Sequence, residues 1–194
     1  DKGTLPTYYT RKIAVPSAWE SLPGLSQYRG KAWYRRFIIL QHESNVRLIF
    51  GGVSHTAVVY LDGSPVGQHY DAFTPWEIVL PTLRAGRHEI IVEVDNTFGT
   101  HSALHKENDY YTYGGITRPV SMQIVADLFI DHLRTIPRKT GKNWSLDIRV
   151  QPRNCGKKAA KGAVTVNIDT KMYDLGIISV PPGETIELTE TVRQ

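Results

Sequence analysis

The stretch VRLIFGGVSHTAVVYLDGSPVGQHYDAFTPWEIVL, from Val46 to Leu80, decides the fold class. At its start, apolar residues stand at every second position: Val46, Leu48 and Phe50. A period of two is typical of a strand that has one face in a core and the other in water. Turn signals follow at Gly51 and at Asp62–Gly63. The stretch therefore predicts short strands joined by tight turns.

The same period of two recurs in three later runs, 90–94, 146–150 and 164–168. Further turn signals stand at Ala85–Gly86 and Pro181–Gly183, and no long stretch has a clear helical period. Many short strands with turns at this spacing are typical of a β-sandwich or β-barrel. We therefore predict an all-β protein.

A change in composition near Ala126 indicates a domain boundary, because three of the four tryptophans precede it and few aromatic residues follow it. We predict a first domain over 1–125 and a second over 126–194, which opens with the strand-like run DLFIDHLRTIP. The second block is shorter than the roughly 100 residues of an immunoglobulin-like sandwich. We expect it to be a truncated or unusually small one.

Charge and composition argue against two classes of partner. The net charge is +4, and the densest basic stretch, RNCGKKAAKG, is interrupted by small residues, so we expect a solvated loop and no nucleic-acid patch. No run approaches the roughly 18 apolar residues of a membrane span, so we expect no membrane partner. The single Cys155 excludes an intrachain disulfide and leaves the compartment open.

Motifs for nucleophilic, metal or phosphate chemistry are missing from the sequence. There is no G-x-S-x-G elbow, no Gly-rich phosphate loop, and no histidine beside Cys155 in the sequence. His101 and His105 are four residues apart but lack H-E-x-x-H context, so exposed loop histidines are the favoured interpretation. We predict no metal and no cofactor. Glu107 and Asp109 are near enough in sequence to be a catalytic pair, but nothing shows that they flank a sugar.

The segment NDYYTYGGITRPV, from Asn108 to Val120, has the residue types of a sugar platform. Aromatic faces stack on apolar sugar faces, and a few polar groups hold hydroxyls. The candidate binding residues are Asn108, Asp109, Tyr110, Tyr111 and Tyr113. Gly114 and Gly115 would allow a positive φ or a close backbone approach. In the alternative interpretation, the tyrosines cover an edge of the sandwich and Asp109 caps a turn.

Four stretches in order resemble the first domain of glycoside hydrolase family 2, which includes β-galactosidases, β-glucuronidases and β-mannosidases. They are VPSAWE with YRGKAWYRRFI, the stretch Val46–Leu80, LRAGRHEIIVEVDN, and DYYTYGGITRPVSM. The last is similar to the family's pattern of an aspartate, an aromatic-rich run, GGI-x-R and valine. The match runs from Val15 to Thr135, and the spacing between TPW and GGITR is most similar to the glucuronidase and galactosidase branches.

The resemblance implies a jelly-roll sugar-binding domain, then an immunoglobulin-like sandwich, then a (β/α)₈ barrel that carries both catalytic glutamates. This sequence lacks the barrel, so no residue on it is expected to be catalytic. In the family, the aspartate that opens the aromatic run reaches toward the barrel and hydrogen-bonds the sugar, and the matching residue here is Asp109. Arg118 is expected to pair with a carboxylate and brace the loop. Three tryptophans in strand contexts are expected in the core or at a domain interface: Trp19, Trp33 and Trp76.

The implied function is that of the non-catalytic portion of an exo-glycosidase acting on terminal β-linked galactose or glucuronic acid. Its implied partners are carbohydrate and the absent barrel. Family members are often oligomers, so this domain can also contribute to a homo-oligomer interface. A free-standing carbohydrate-binding module is the alternative, which rests on fold analogy.

Overall fold

The computed structural model describes residues 5–97 and 113–193. In these ranges the regular secondary structure consists of β-strands and one short 3-10 helix, which confirms the all-β prediction. The chain divides into two compact units, residues 1–123 and 124–194.

Unit 1 is a jelly-roll sandwich. Its elements are the 3-10 helix Trp19–Ser21 and strands β1 (Lys31–Leu40), β2 (Ser44–Phe50), β3 (Thr56–Leu61), β4 (Ser64–Tyr70), β5 (Trp76–Leu83), β6 (Gly86–Asp95) and β7 (Val120–Val125), the last of which crosses the boundary. One sheet has the order β1-β6-β3-β4 and the other the order β5-β2-β7. The pairs β1–β6, β3–β6, β3–β4 and β2–β5 are antiparallel.

The core of unit 1 lies between these two sheets, and the period-two residues form it. The buried members on the strands are Leu40, Val46, Leu48, Phe50, Ala57, Val59, Ile78, Leu80, Ile90, Val92 and Val94. Phe50 is 1% exposed and lies directly opposite Trp76 in the β2–β5 register. The two rings stack with centroids 4.4 Å apart. The alternation in the opening stretch therefore identified the inward face of β2 correctly.

The predicted Asp62–Gly63 turn joins β3 to β4. Both residues have positive φ, 48° and 83°, which is the pattern of a two-residue type I′ hairpin. The Asp62 carboxylate also accepts hydrogen bonds from the Glu89 backbone amide at 2.7 Å and from the His88 ring at 2.7 Å. This turn is thereby tied to β6 as well as to its own hairpin.

Unit 2 is a smaller, partial immunoglobulin-like sandwich. Its strands are β8 (Leu128–Thr140), β9 (Asn143–Asn154), β10 (Ala160–Ile168), β11 (Lys171–Val180) and β12 (Leu188–Arg193). They form the sheets β12-β9-β8 and β10-β11. Both sheets contribute to its core: Ile148, Val150, Val164, Ile178, Val180 and Val192.

Two local expectations were wrong. Trp19 is buried in the core as expected, but it lies in the 3-10 helix and not in a strand, because the backbone amides of Ser21 and Leu22 donate to the carbonyls of Ala18 and Trp19 and turn the chain. The basic stretch RNCGKKAAKG is a loop only at residues 155–159, since β9 and β10 take up its two ends. Asn154, inside that stretch, is fully buried because its side chain bonds to the Lys158 and Val180 carbonyls.

No helix in the described ranges is both long enough and apolar enough to cross a lipid bilayer.

Candidate functional site

The predicted sugar platform falls partly within the described residues. Tyr113, Gly114, Gly115 and Arg118 are described, whereas the predicted binding residues Asn108, Asp109, Tyr110 and Tyr111 lie outside the described ranges. The geometry below therefore concerns the base of this segment. This base consists of the residues that contact the chain next to positions 97 and 113, where the first described range ends and the second begins.

Gly114 lies where no side chain fits. A Cβ added there would be 2.2 Å from two carbons of the Trp19 indole and 2.5 Å from Nδ2 of Asn96. Its carbonyl accepts the Trp19 backbone amide at 3.1 Å. Trp19 itself is 2% exposed. The glycine is needed here for close approach of the backbone to a buried aromatic ring.

Gly115 is needed for its backbone conformation. Its φ is 110°, which favours glycine, and a Cβ there would be 2.7 Å from the Tyr34 hydroxyl. Its carbonyl accepts the Ser54 amide at 2.9 Å, and the two residues form an isolated β-bridge. Burial raises the pKa of Tyr34 to about 12, so this phenol stays neutral.

The buried carboxylate of Glu20 forms a hydrogen bond with the Gly114 backbone. Oε1 of Glu20 accepts the Gly114 amide at 2.9 Å, across 94 positions of sequence. Nη1 of Arg29 lies 3.3 Å from the same oxygen, and the Glu20 side chain is only 6% exposed. A carboxylate taken out of water is tolerated when it is paired and hydrogen-bonded, and both conditions are met here.

A second brace holds the other end of the undescribed segment. Asn96, which directly follows β6, is fully buried. Its Oδ1 accepts the Gly30 amide at 2.9 Å, and its own amide donates to the Gly30 carbonyl at 3.2 Å. Asn96 and Gly114 also lie side by side, as the 2.5 Å approach to Nδ2 demonstrates. The chain positions that flank residues 97–113 are therefore adjacent in space.

We call Trp19, Glu20, Arg29, His55 and Asn96 the anchor cluster. Several buried polar atoms in it have no hydrogen-bond partner among the described residues: Trp19 Nε1, Glu20 Oε2, Asn96 Nδ2 and both ring nitrogens of His55. Buried polar groups are normally satisfied by protein or by ordered water. The cluster therefore has hydrogen-bonding capacity that its own members do not use.

His55 connects the cluster to the β3 strand. It is 2% exposed, and its backbone amide donates to the Asp95 carbonyl at 3.0 Å. Burial lowers the pKa of its imidazole, the Arg29 charge lowers it further, and Asp71 acts in the opposite direction. Both lowering effects favour the neutral form of the imidazole in the folded state.

This shift predicts a loss of stability in acid. Because the pKa of His55 is lower in the folded state, its contribution to the free energy of unfolding is complete above the unfolded pKa of about 6.5. This contribution is lost as the pH falls through the folded pKa. Between pH 7.5 and pH 5.5, the free energy of unfolding should therefore fall more steeply in the wild type than in His55→Asn. Urea titrations followed by tryptophan fluorescence measure both. Replacing the exposed His42 by Asn is the matched control and should leave the steep loss in place; equal slopes in the wild type and His55→Asn would contradict the prediction.

Tyr113 and Arg118 lie on either side of the two glycines in sequence. Tyr113 is 54% exposed, so part of its ring is available to a ligand. The expected carboxylate partner of Arg118 is not found in the described part of the chain. Its Nη1 instead donates to the Phe73 carbonyl at 2.6 Å. Through this backbone carbonyl, Arg118 braces the neighbouring loop that contains Phe73.

Sequence reasoning missed the anchor cluster. Arg29 and Asn96 lie just outside strands and Glu20 lies in the short 3-10 helix, and no local spacing connects Glu20 with Gly114. The one usable signal was the Gly-Gly pair itself, since a glycine with no turn role implies that something approaches it closely. What approaches it could be learned only from the fold.

A separate cavity of about 450 Å³ lies within unit 2. Its lining includes Trp144, Tyr173, Asp169 and Lys171, and Trp144 is 50% exposed. Of the predicted site residues, those in the described ranges are not part of its lining. Within the described ranges, no group of three or more His, Cys, Asp or Glu side chains is arranged to hold a metal ion.

The fold and the glycine-anchored aromatic segment define an all-β protein of the jelly-roll class with a candidate sugar-facing site. The family model "Glycosyl hydrolases family 2, sugar binding domain" matches residues 6–125, so the chain belongs to glycoside hydrolase family 2.

Solved structures support this assignment over nearly the whole chain. A family 2 β-galacturonidase from Eisenbergiella tayi superposes with a TM-score of 0.88 and 36% identity, covering 98% of this chain and 34% of that one. A Bacteroides uniformis β-glucuronidase has the same fold, with a TM-score of 0.80 at 22% identity over 94% of this chain and 24% of that one.

Curated relatives have similar names. A putative β-glucuronidase of Formosa agariphila is 25% identical over 68% of this chain, and a β-galactosidase of Thermoanaerobacter pseudethanolicus is 26% identical over 82%. This chain spans only 17% and 23% of those two proteins. The chain therefore spans less than a quarter of either protein.

Proposed function

We propose that this chain is the sugar-binding and immunoglobulin-like part of a family 2 exo-glycosidase, with domains over 1–125 and 126–194. It supports a catalytic barrel and contributes one wall of the sugar site. The observation that carries the proposal is the 98% coverage of the chain by the 36%-identical β-galacturonidase, together with the family match over 6–125. The intact enzyme hydrolyses a terminal β-linked sugar with retention, through a covalent glycosyl intermediate on a barrel carboxylate.

The substrate class that the relatives favour is a terminal β-linked uronic acid or galactose. The similar proteins are named β-galacturonidase, β-glucuronidase and β-galactosidase. We propose that Asp109 hydrogen-bonds this sugar, with Asn108 and the tyrosines 110, 111 and 113 along the rim. Support comes from the motif, from the exposure of Tyr113 and from the rigid base under Gly114–Gly115.

Replacing Asp109 in the full-length gene product tests this role. Asp109→Ala should lower kcat/KM by about 100-fold on the preferred 4-nitrophenyl β-galacturonide, glucuronide or galactoside, because a polar contact to the sugar is lost and the substrate loses orientation. Glu107→Ala, two residues away, is the matched control and should stay near wild type. The 194-residue chain alone should be inert. An Asp109→Ala enzyme with wild-type kcat/KM would refute the role of Asp109, and turnover by the isolated chain, free of host enzymes, would refute the need for a barrel.

A free-standing carbohydrate-binding module is the second candidate. The observation in its favour is the unit 2 cavity, since the exposed Trp144 ring and the Tyr173 ring could face a sugar. Calorimetry on the isolated chain separates the two candidates. Saturable sugar binding that is weakened by Trp144→Ala or Tyr111→Ala favours the module, whereas no binding across a panel of neutral and acidic sugars favours the supporting role.

A second copy of the chain is a further proposed partner, because family members are often oligomers. Light scattering across a concentration series measures the association.

A further inference from the structure

His88, near the start of β6, has a hydrogen-bond acceptor at each of its ring nitrogens. Nδ1 lies 2.7 Å from Oδ2 of Asp62, which belongs to the turn between β3 and β4. Nε2 lies 2.9 Å from the carbonyl oxygen of Arg84, in the turn between β5 and β6. The His88 side chain is only 13% exposed. One half-enclosed imidazole therefore connects two turns of unit 1 that are distant in sequence.

The two acceptors determine which protonation state of the ring fits the structure. A carbonyl oxygen and an ionised carboxylate can only accept, and a neutral imidazole has a single N–H to donate. Burial raises the pKa of Asp62, but the hydrogen bonds from His88 and from the Glu89 amide outweigh burial and lower it, so this carboxyl is ionised at neutral pH. Both contacts are therefore satisfied together only when His88 has a proton on each ring nitrogen.

In the part of the chain that the structure describes, Asp62 is the charged side chain that faces the imidazole from another element. On β1, the residue opposite His88 in register is the apolar Ile38. The two charged neighbours on β6 have contacts elsewhere, Arg87 with the Phe37 ring and Glu89 with Arg35. The Asp62 carboxylate is therefore the charge to which the ring responds.

These contacts give His88 a pH dependence opposite to that of His55. The Arg84 carbonyl and then the Asp62 carboxylate raise the pKa of His88 above its ordinary value of 6.5, and burial acts in the other direction. Because folding raises this pKa, the contribution of His88 to the free energy of unfolding is complete below the unfolded pKa of about 6.5. It is lost as the pH rises through the folded pKa.

We propose that His88 is a pH-dependent clamp that holds the turn 84–85 to the β3–β4 turn while its ring is doubly protonated. On deprotonation the ring retains one N–H, for which the charged carboxylate is the stronger acceptor. The contact with the Arg84 carbonyl is then the one that is lost, so the turn 84–85 is released as the pH rises. The clamp is a property of the fold of unit 1 and does not depend on the proposed function.

Nuclear magnetic resonance on the 194-residue chain tests the clamp. With resonances assigned through bonds in the wild type, the His88 ring should titrate with a midpoint above pH 6.5, and the carbonyl shift of Arg84 should change with the same midpoint. In Asp62→Asn the His88 midpoint should fall, because the new side chain still offers Glu89 an acceptor but carries no charge.

Urea titration of unit 1 gives a second measurement. At pH 6, Asp62→Asn should raise the unfolding constant by about three- to tenfold, and this difference should shrink as the pH rises through the His88 midpoint. Asp169→Asn is the matched control, since Asp169 also has a positive φ, 53°, but lies in the β10–β11 turn of unit 2. It should leave both the His88 midpoint and the stability of unit 1 unchanged.

Two results from the wild type alone would overturn the clamp: a His88 midpoint at or below pH 6.5, or an Arg84 carbonyl shift that does not follow the His88 titration. These results decide the matter even if Asp62→Asn does not fold. An unchanged His88 midpoint in a folded Asp62→Asn protein would also overturn it, as would a stability difference that stays constant with pH.

Discussion

Gly114→Ala should lower the free energy of unfolding of unit 1 by about 3 kcal/mol, the upper part of the usual range for overpacking a well-filled interior. The added methyl group would stand 2.2 Å from Cε2 and Cζ2 of the Trp19 indole and 2.5 Å from Nδ2 of Asn96. Neither neighbouring side chain can move away without a large loss of free energy. Trp19 is 2% exposed, and Asn96 is fully buried and hydrogen-bonded to Gly30. The clash must therefore be relieved by moving backbone.

Urea titration followed by tryptophan fluorescence measures this loss. In a Trp144→Phe background the fluorescence signal reports unit 1 alone, since the three other tryptophans belong to unit 1. If steric overlap with the indole is the cause, Gly114→Ala should cost less when Trp19 is already replaced by Phe, which lacks the far part of the indole. Equal costs in the two backgrounds would disprove the steric explanation. A stable Gly114→Ala protein would disprove the close packing itself.

Phe50→Ala should be the most damaging single truncation in the core of unit 1, at about 4 kcal/mol. Phe50 is 1% exposed and stacks on Trp76 with centroids 4.4 Å apart and planes at 11°. Trp76 also stacks on His69, with centroids 5.0 Å apart. Truncation at Phe50 thus leaves a cavity and removes one partner from a three-ring stack, and both effects act against folding.

Phe73→Ala is the matched control for that truncation. Phe73 is 60% exposed, and its backbone amide donates to the Asp71 carboxylate while its carbonyl accepts a hydrogen bond from Arg118. Phe73→Ala should lower the free energy of unfolding by about 0.5 kcal/mol or less. Urea midpoints in the Trp144→Phe background compare the two. Similar losses at Phe50 and Phe73 would mean that burial does not decide the stability of this sandwich.

The anchor cluster changes how the aromatic segment is understood. As a sequence, the Gly-Gly pair allowed either a left-handed turn or a close approach. In the fold the two glycines divide these roles, since Gly114 makes room for Trp19 and Gly115 has a φ of 110°. Both roles fix the base from which the segment with Asp109 departs. A base fixed in this way suits the sugar contact that we propose for Asp109.

The sequence by itself determined the fold class, the strands and the family. Period-two alternation places Val46, Leu48 and Phe50 on the inward face of β2, and the Asp62–Gly63 pair specifies a hairpin turn, because these signals depend on neighbours along the chain. The family resemblance is equally a property of ordered local motifs. All of these could be derived without coordinates.

Only the tertiary structure decided which residues hold the site. Glu20 reaches Gly114 across 94 positions, and Asn96 reaches Gly30 across 66. Within the described ranges, the partner that the structure gives Arg118 is the backbone carbonyl of Phe73. The physical reason is that hydrogen bonds and steric exclusion act over about 3 Å in space, whatever the separation in sequence. A local pattern contains no trace of a partner that folding brings from so far along the chain.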